Sequence, residues 1–226
     1  KSWFVIISGV HACVHSNKRV LFVTLEMSET EVLRRADAYY GHFPYTTFSR
    51  AEVNEAEAAR YREQLQEISR LEEDFIVSGD SDAEGSVGVS FINAKIRQYN
   101  PELVFVDGVY LMQDDKEGSS RTDKIYNITQ GLKRSARKHE VPIIVTTQMG
   151  RKGDIQWSDS FLQDSDIVIE LFRTDEMETH NRMNITLRKQ REGVVGTFET
   201  SWDVENQSFG DIGQVENTAV SPVNLV

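Results

Sequence analysis

Three short runs in this chain are apolar without alternation: Val20-Leu21-Phe22-Val23, Leu103-Val104-Phe105-Val106 and Ile143-Ile144-Val145. A strand with one wet face alternates apolar and polar residues, so a strand that does not alternate must be covered on both faces. The strands read as Arg19 to Leu25, Asp74 to Val77, Leu103 to Val106 and Pro142 to Thr147, the last ending at Gln148. Helical sequence lies between them. Covered strands alternating with helices are the pattern of a parallel sheet with helices on both sides, and the fold class is α/β.

The helices have their own signals. Trp3 to His15 is apolar on nearly every face, as a helix in a large core would be, and Asn17-Lys18-Arg19 ends it. Ser28-Glu29-Thr30-Glu31 has the form of a capping box, with Val32, Leu33, Ala36 and Tyr40 at helical spacing behind it. Val53 to Leu71 is helical by propensity and charged enough to lie on the surface. Phe91 to Tyr99 is a helix stopped by Asn100-Pro101, and another runs from about Thr122 to His139.

After Asp166 the rhythm changes. Ile167 to Phe172, Met183 to Leu187 and Thr197 to Trp202 read as strands with no helices between them, expected as antiparallel additions at one edge. The chain from Asp203 is polar and aperiodic, which predicts a domain over 1–202 and a loose tail over 203–226.

Composition narrows the function classes. Twenty-five Lys and Arg against 36 Asp and Glu give a formal charge of -11, so any contact with nucleic acid must be local. The single Cys13, in an apolar helical pattern, rules out an intramolecular disulfide and a thiolate metal cluster, and fits buried filler in a reducing compartment. His11 and His15 lie four apart on one helix, but no third ligand has a recognisable spacing to them; packing accounts for them better. No apolar run approaches the roughly 18 residues that span a bilayer, so no membrane partner and a cytoplasmic location are expected. The chain opens on Lys1-Ser2 with no start methionine, which predicts further sequence upstream.

In an open parallel sheet, ligands sit beyond the carboxyl ends of the strands. The residues there are Glu26, Asp107 and Gln148. A carboxylate after an apolar strand is costly to bury without a partner, and a metal or a positioned water supplies one. Taken singly, Asp107 reads equally well as a turn residue. Lys1-Ser2 at the start of an apolar helix matches the last two positions of the phosphate loop Gly-x-x-x-x-Gly-Lys-Ser/Thr, in which the Lys answers the outer phosphates and the hydroxyl binds Mg²⁺.

Taken in order, these segments resemble the RecA-like ATPase domain of DnaB-type replicative helicases. Leu25-Glu26-Met27-Ser28 with Arg34-Arg35 is similar to that family's strand-end Leu-Glu-Met segment. Val104-Phe105-Val106-Asp107-Gly108-Val109-Tyr110-Leu111-Met112 is similar to its Walker B run, with Gly108 where the family usually has Tyr. Arg121, Ile125, Ile128 and Leu132-Lys133, then Val141-Pro142-Ile143-Ile144 and Gln148, follow its next block. Gln163-Asp164-Ser165-Asp166 and Lys189-Gln190-Arg191-Glu192-Gly193 complete the set.

The resemblance implies a P-loop NTPase core that uses ATP and Mg²⁺. Lys1, Ser2, Asp107 and Arg35 would hold the nucleotide, with Ser2 and Asp107 on the metal. Glu26 would polarise the attacking water, and Gln148 would sense the γ-phosphate. Lys189 and Arg191, two apart on a strand end and so facing the same way, would reach the ATP of a neighbouring subunit as basic fingers. A site shared between subunits demands an oligomer, which the resemblance makes a homo-hexameric ring.

Single-stranded DNA would meet the loops Gln113 to Arg121 and Met149 to Trp157 through Arg121, Arg151, Lys152 and Gly153, with primase and a helicase loader as further partners. The implied function is an ATP-driven replicative DNA helicase motor in a bacterial or phage-infected cytoplasm. The alternatives are a RecA- or KaiC-like ATPase of recombination or signalling, and a ring or loader subunit that binds nucleotide without hydrolysing it.

Overall fold

The structure is a computed structural model and describes residues 1–83, 86–116, 120–148, 161 and 163–211. It divides into two compact units, Lys1–Asp164 and Ser165–Val226.

The first unit carries four parallel strands, β1 Val20–Thr24, β2 Phe75–Ser78, β3 Leu103–Asp107 and β4 Ile143–Val145, in the order β2-β1-β3-β4. Its longer helices are α1 Ser2–Ser16, α2 Glu29–Tyr40, α4 Glu55–Ile68, α5 Val89–Tyr99 and α6 Arg121–His139, with a short α3 at Tyr45–Ser49.

Both faces of the sheet are dry over β1 and β3, as their unbroken apolar runs require; in the edge strand β4 the run is not covered on both faces among the described residues, and Ile144 is 40% exposed. Val20, Phe22 and Phe105 pack with Val5, Ile6 and Val10 of α1 and with Val32 and Ala36 of α2. Leu21, Val23, Val104 and Val106 pack on the opposite side with Ile92 and Ile96 of α5 and with Ile128 and Leu132 of α6. Gly9 sets how closely α1 lies on the strands: a Cβ there would stand 2.7 Å from the Phe75 ring and 3.2 Å from Phe105. Cys13 is buried, and its thiol donates to the Glu73 carbonyl at 3.3 Å. His11 and His15 are on the exposed side of α1, rings 4.7 Å apart, so boundary and not core packing describes them.

Ser28 caps α2 as expected, and a full capping box stands at the start of α4, where the sequence reads only as helical. The Ser28 hydroxyl accepts the Glu31 N–H at 3.3 Å, and Asn54 and Glu57 complete a capping box with two bonds of 2.9 Å.

The helix α3 was not expected from the sequence. Five residues are too few for a periodic signal, and it is held by stacking of Phe43 on Phe48 at 5.0 Å, with Tyr61 of α4 edge-on to both rings. The Tyr61 hydroxyl donates to the Asp37 carboxylate at 2.6 Å. Burial, and then that carboxylate, push the Tyr61 phenol above its usual range. The folded state therefore favours the protonated phenol, a contribution complete below about pH 10 and lost as the pH rises through and beyond it. Tyr61→Phe should lower stability at neutral pH by about 1–3 kcal/mol, since Asp37 loses its donor, and should flatten the alkaline decline seen in denaturant titrations at successive pH values.

The second unit is an antiparallel sheet of its own, in the order β5-β6-β7-β8: β5 Ile167–Phe172, β6 Arg182–Gln190, β7 Gly196–Asp203 and β8 Ser208–Asp211. Two features depart from the sequence expectation. A five-residue helix α7, Asp175–Thr179, stands between β5 and β6, started by the Thr174 hydroxyl, which accepts the Met177 N–H at 3.1 Å. Regular structure also continues past Asp203, where the tail was expected. The Asp203 carboxylate accepts from Asn206 at 3.0 and 2.8 Å to close a turn, and Phe209 of β8 meets the Trp202 ring at 4.8 Å. Ser-Phe-Gly-Asp carries one apolar residue, too few to show an alternating pattern.

Candidate active site

Strand order places the site. The chain leaves β1 to build β2 on one side and then crosses back to build β3 on the other, so the crevice at the carboxyl ends of β1 and β3 is the switch point where open α/β sheets bind ligands. Thr24 at the end of β1 is in register with Asp107 at the end of β3, and the Leu25 N–H donates to the Asp107 carbonyl at 3.0 Å. The Thr24 hydroxyl then donates to the Met27 carbonyl at 2.8 Å and accepts its N–H at 3.3 Å, a turn that leaves Glu26 exposed at the strand tip.

Asp107 is fully buried. Its Oδ1 accepts the Thr146 hydroxyl at 2.6 Å, and that hydroxyl in turn accepts the Gly108 N–H at 2.9 Å. Its Oδ2 has no hydrogen-bond partner among the described residues. A dry carboxylate oxygen without a donor is costly, and a hydrated cation is one partner that removes the cost. Among the described residues no group of three or more His, Cys, Asp or Glu could hold a metal. The donor set suits Mg²⁺, which takes one or two protein oxygens and fills its shell with water and substrate phosphate.

Gly108 has φ +93°, and a Cβ on it would stand 3.0 Å from Glu26 Cγ. A side chain at this position would be strained and would displace Glu26, which gives the departure from Tyr a local reason. Gln148, just past β4, donates from Nε2 to Glu26 Oε1 at 3.3 Å and to the Tyr110 hydroxyl at 2.7 Å. The Lys1 Nζ lies 5.8 Å from the centroid of the same Tyr110 ring. Lys1, Glu26, Asp107 and Gln148, drawn from four separate parts of the chain, thus meet at one place. The helix α1 runs on from Ser2, next to Lys1.

Arg35 stands beside this cluster, bound to its own surroundings. It pairs with Glu31 at 2.7 Å, donates to the Tyr45 hydroxyl at 3.4 Å and lies 5.5 Å over the Trp3 ring.

Lys189 and Arg191 belong to the second unit. Lys189 is in β6 opposite Val168, next to an irregularity in the β5 pairing. Arg191 follows the last residue of β6, so strand periodicity does not carry it onto the face of Lys189 as the sequence suggested; it pairs with Asp166 at 2.9 Å, both side chains about half exposed at 52% and 56%.

Arg151, Lys152, Gly153 and Trp157 lie outside the described residues, as does the Arg121 side chain. Thr146, Gly108 and Tyr110 were not among the predicted site residues, because their partners lie elsewhere in the chain.

A model of the DnaB-like helicase C-terminal domain matches residues 1–211. The chain belongs to that family. A replicative DNA helicase DnaB of Rickettsia bellii is 26% identical over 259 residues, covering 92% of this chain and 51% of the relative. The replicative DNA helicase DnaB of Geobacillus stearothermophilus is 26% identical over 229 residues, covering 92% of this chain and 49% of the relative. The chain thus spans about half the length of the curated relatives it matches. A solved DnaB-like replicative helicase, described with its interactions with primase, is similar in fold at a TM-score of 0.81 and 23% identity, over 93% of this chain and 56% of that one.

Proposed function

We propose that this chain is the ATP-hydrolysing motor of a replicative DNA helicase, with the motor domain running on past residue 202 through β8 to Asp211. The observation that carries the reading is the convergence of Glu26, Asp107, Gln148 and Lys1 at the β1/β3 switch point. Membership of the DnaB-like family supports the same conclusion.

In this reading the Lys1 ammonium and the start of α1 hold the outer phosphates, and Arg35 adds positive charge beside them. The Ser2 hydroxyl and the free oxygen of Asp107 would hold Mg²⁺, directly or through its water shell; when bound, the ion withdraws charge from the phosphates. Glu26, exposed at the strand tip, accepts the proton of the attacking water. Thr146 holds one oxygen of the Asp107 carboxylate and leaves the other without a donor among the described residues. Gln148 donates to the γ-phosphate and passes its presence to the chain beyond β4, where Arg151, Lys152 and Gly153 would contact single-stranded DNA together with Arg121.

Charge developing on the transferred phosphoryl calls for a cation from outside, and Lys189 and Arg191 of a neighbouring copy would supply it. The Arg191–Asp166 pair is exposed and weak, so Arg191 can exchange that partner for a phosphate at small cost. Such a contact joins two different surfaces, and six copies would close it into a ring. Primase, as with the structural relative, and a loader would be partners of the complete protein in the cytoplasm.

The test is strand displacement. The complete protein with ATP and Mg²⁺ should separate a forked DNA duplex and hydrolyse ATP faster when single-stranded DNA is added; ATP turnover indifferent to DNA and no strand separation would reject the reading.

A further inference from the structure

We infer that Tyr110 is a positioning residue of the nucleotide site, holding the Gln148 carboxamide with its hydroxyl and the Lys1 ammonium with its ring; this rests on the ATPase reading above. The Gln148 Nε2 carries two hydrogens, and both are committed: one to the Tyr110 hydroxyl at 2.7 Å, the other, in a longer bond, to Glu26 at 3.3 Å. The Lys1 Nζ, 5.8 Å from the ring centroid, is within the range at which a ring face attracts an ammonium. One side chain therefore touches both a phosphate-binding cation and the γ-phosphate sensor.

The backbone keeps it there. Tyr110 is the middle residue of a single 3₁₀ turn, Val109–Leu111. The Val109 N–H donates to the Thr146 carbonyl at 3.0 Å, and the turn closes through Leu111 N–H to the Gly108 carbonyl at 2.8 Å. Thr146 is two residues before Gln148, so the segment that presents the carboxamide also anchors the turn that presents the phenol.

The unequal bonds suggest how the arrangement works. To answer a γ-phosphate, Gln148 must release an N–H, and the bond to Glu26 is the weaker of the two. Giving it up frees the donor and the Glu26 carboxylate together, while the Tyr110 bond keeps the carboxamide in place. Tyr110 is then the pivot of the sensor, and the phosphate itself uncovers the base.

The experiment uses the complete protein and compares wild type, Tyr110→Phe, Tyr110→Ala, Gln148→Met, the Tyr110→Phe/Gln148→Met double variant and a Glu26→Gln control. It measures DNA-stimulated turnover, equilibrium binding of a fluorescent ATP analogue, and melting temperature. Tyr110→Phe keeps the ring and loses one hydrogen bond; kcat should fall roughly tenfold, with KM and analogue affinity within about twofold of wild type. Tyr110→Ala should add a several-fold loss of analogue affinity. In the Gln148→Met background, Tyr110→Phe should cost nothing more.

Wild-type kcat in Tyr110→Phe, an equal loss with and without Gln148, or unchanged analogue affinity in Tyr110→Ala would each overturn the inference and leave the ATPase reading standing. A Tyr110→Phe protein that no longer folds would overturn it as well, by showing a structural role. Equal turnover by wild type and Glu26→Gln would overturn both.

Discussion

Replacing Glu26 by Gln should lower the ATP turnover of the complete protein by ~10²–10⁴-fold while leaving ATP affinity within a few-fold of wild type. The carboxamide has the shape of the carboxylate and cannot take a proton from water. Binding is carried by other groups, the Lys1 ammonium and the helix start, so affinity should survive. The fold should survive too, because Glu26 is exposed and its side-chain bond among the described residues, from Gln148, can be made equally well to an amide oxygen. Single-turnover hydrolysis beside equilibrium binding separates the two effects. A ring that uses nucleotide only to hold its shape has no need of this carboxylate, and unchanged hydrolysis would assign the chain to that class.

Arg191→Ala should cost ~10³-fold or more in turnover, again with little change in ATP affinity, because the guanidinium is supplied to the transition state of the neighbouring copy. Its partner Asp166 is as exposed as Arg191 itself, so removing the pair should shift stability by less than about 1 kcal/mol, and the melting temperature serves as the control. Mixing Arg191→Ala with Glu26→Gln subunits distinguishes a finger in trans from one in cis. Where a Glu26→Gln subunit offers its intact Arg191 to a neighbour that retains Glu26, a complete site is restored, so mixed assemblies should regain turnover that neither variant shows. No recovery across mixing ratios would place Arg191 on its own subunit's nucleotide or away from any.

The sequence made some of this legible because the physics behind it is local. An unbroken apolar run such as Val20 to Val23 has one structural meaning, and the residue that ends it, Glu26 or Asp107, stands at a strand tip whatever the strand order. The Ser28 cap follows an equally local rule. What escaped was set by partners far along the chain. Nothing around Tyr110 announces a neighbour 38 residues away, and Thr146 acquires its role only because β3 and β4 pair. The short helix at Tyr45–Ser49 rests on aromatic contacts with α4, and β8 exists because Phe209 finds Trp202. The Lys189–Arg191 spacing suggested a shared face, but the strand stops at Gln190. Strand order, the feature that brings the site together, is written in no single segment.

The most direct test is a map of the complete protein with a non-hydrolysable ATP analogue and Mg²⁺. The phosphates should lie between the Lys1 ammonium and the Glu26 carboxylate, with the metal density on the Asp107 Oδ2 side and the Gln148 carboxamide turned from Glu26 to the γ-phosphate. A nucleotide bound elsewhere on the sheet, with Asp107 Oδ2 facing neither metal nor its water, would contradict the account.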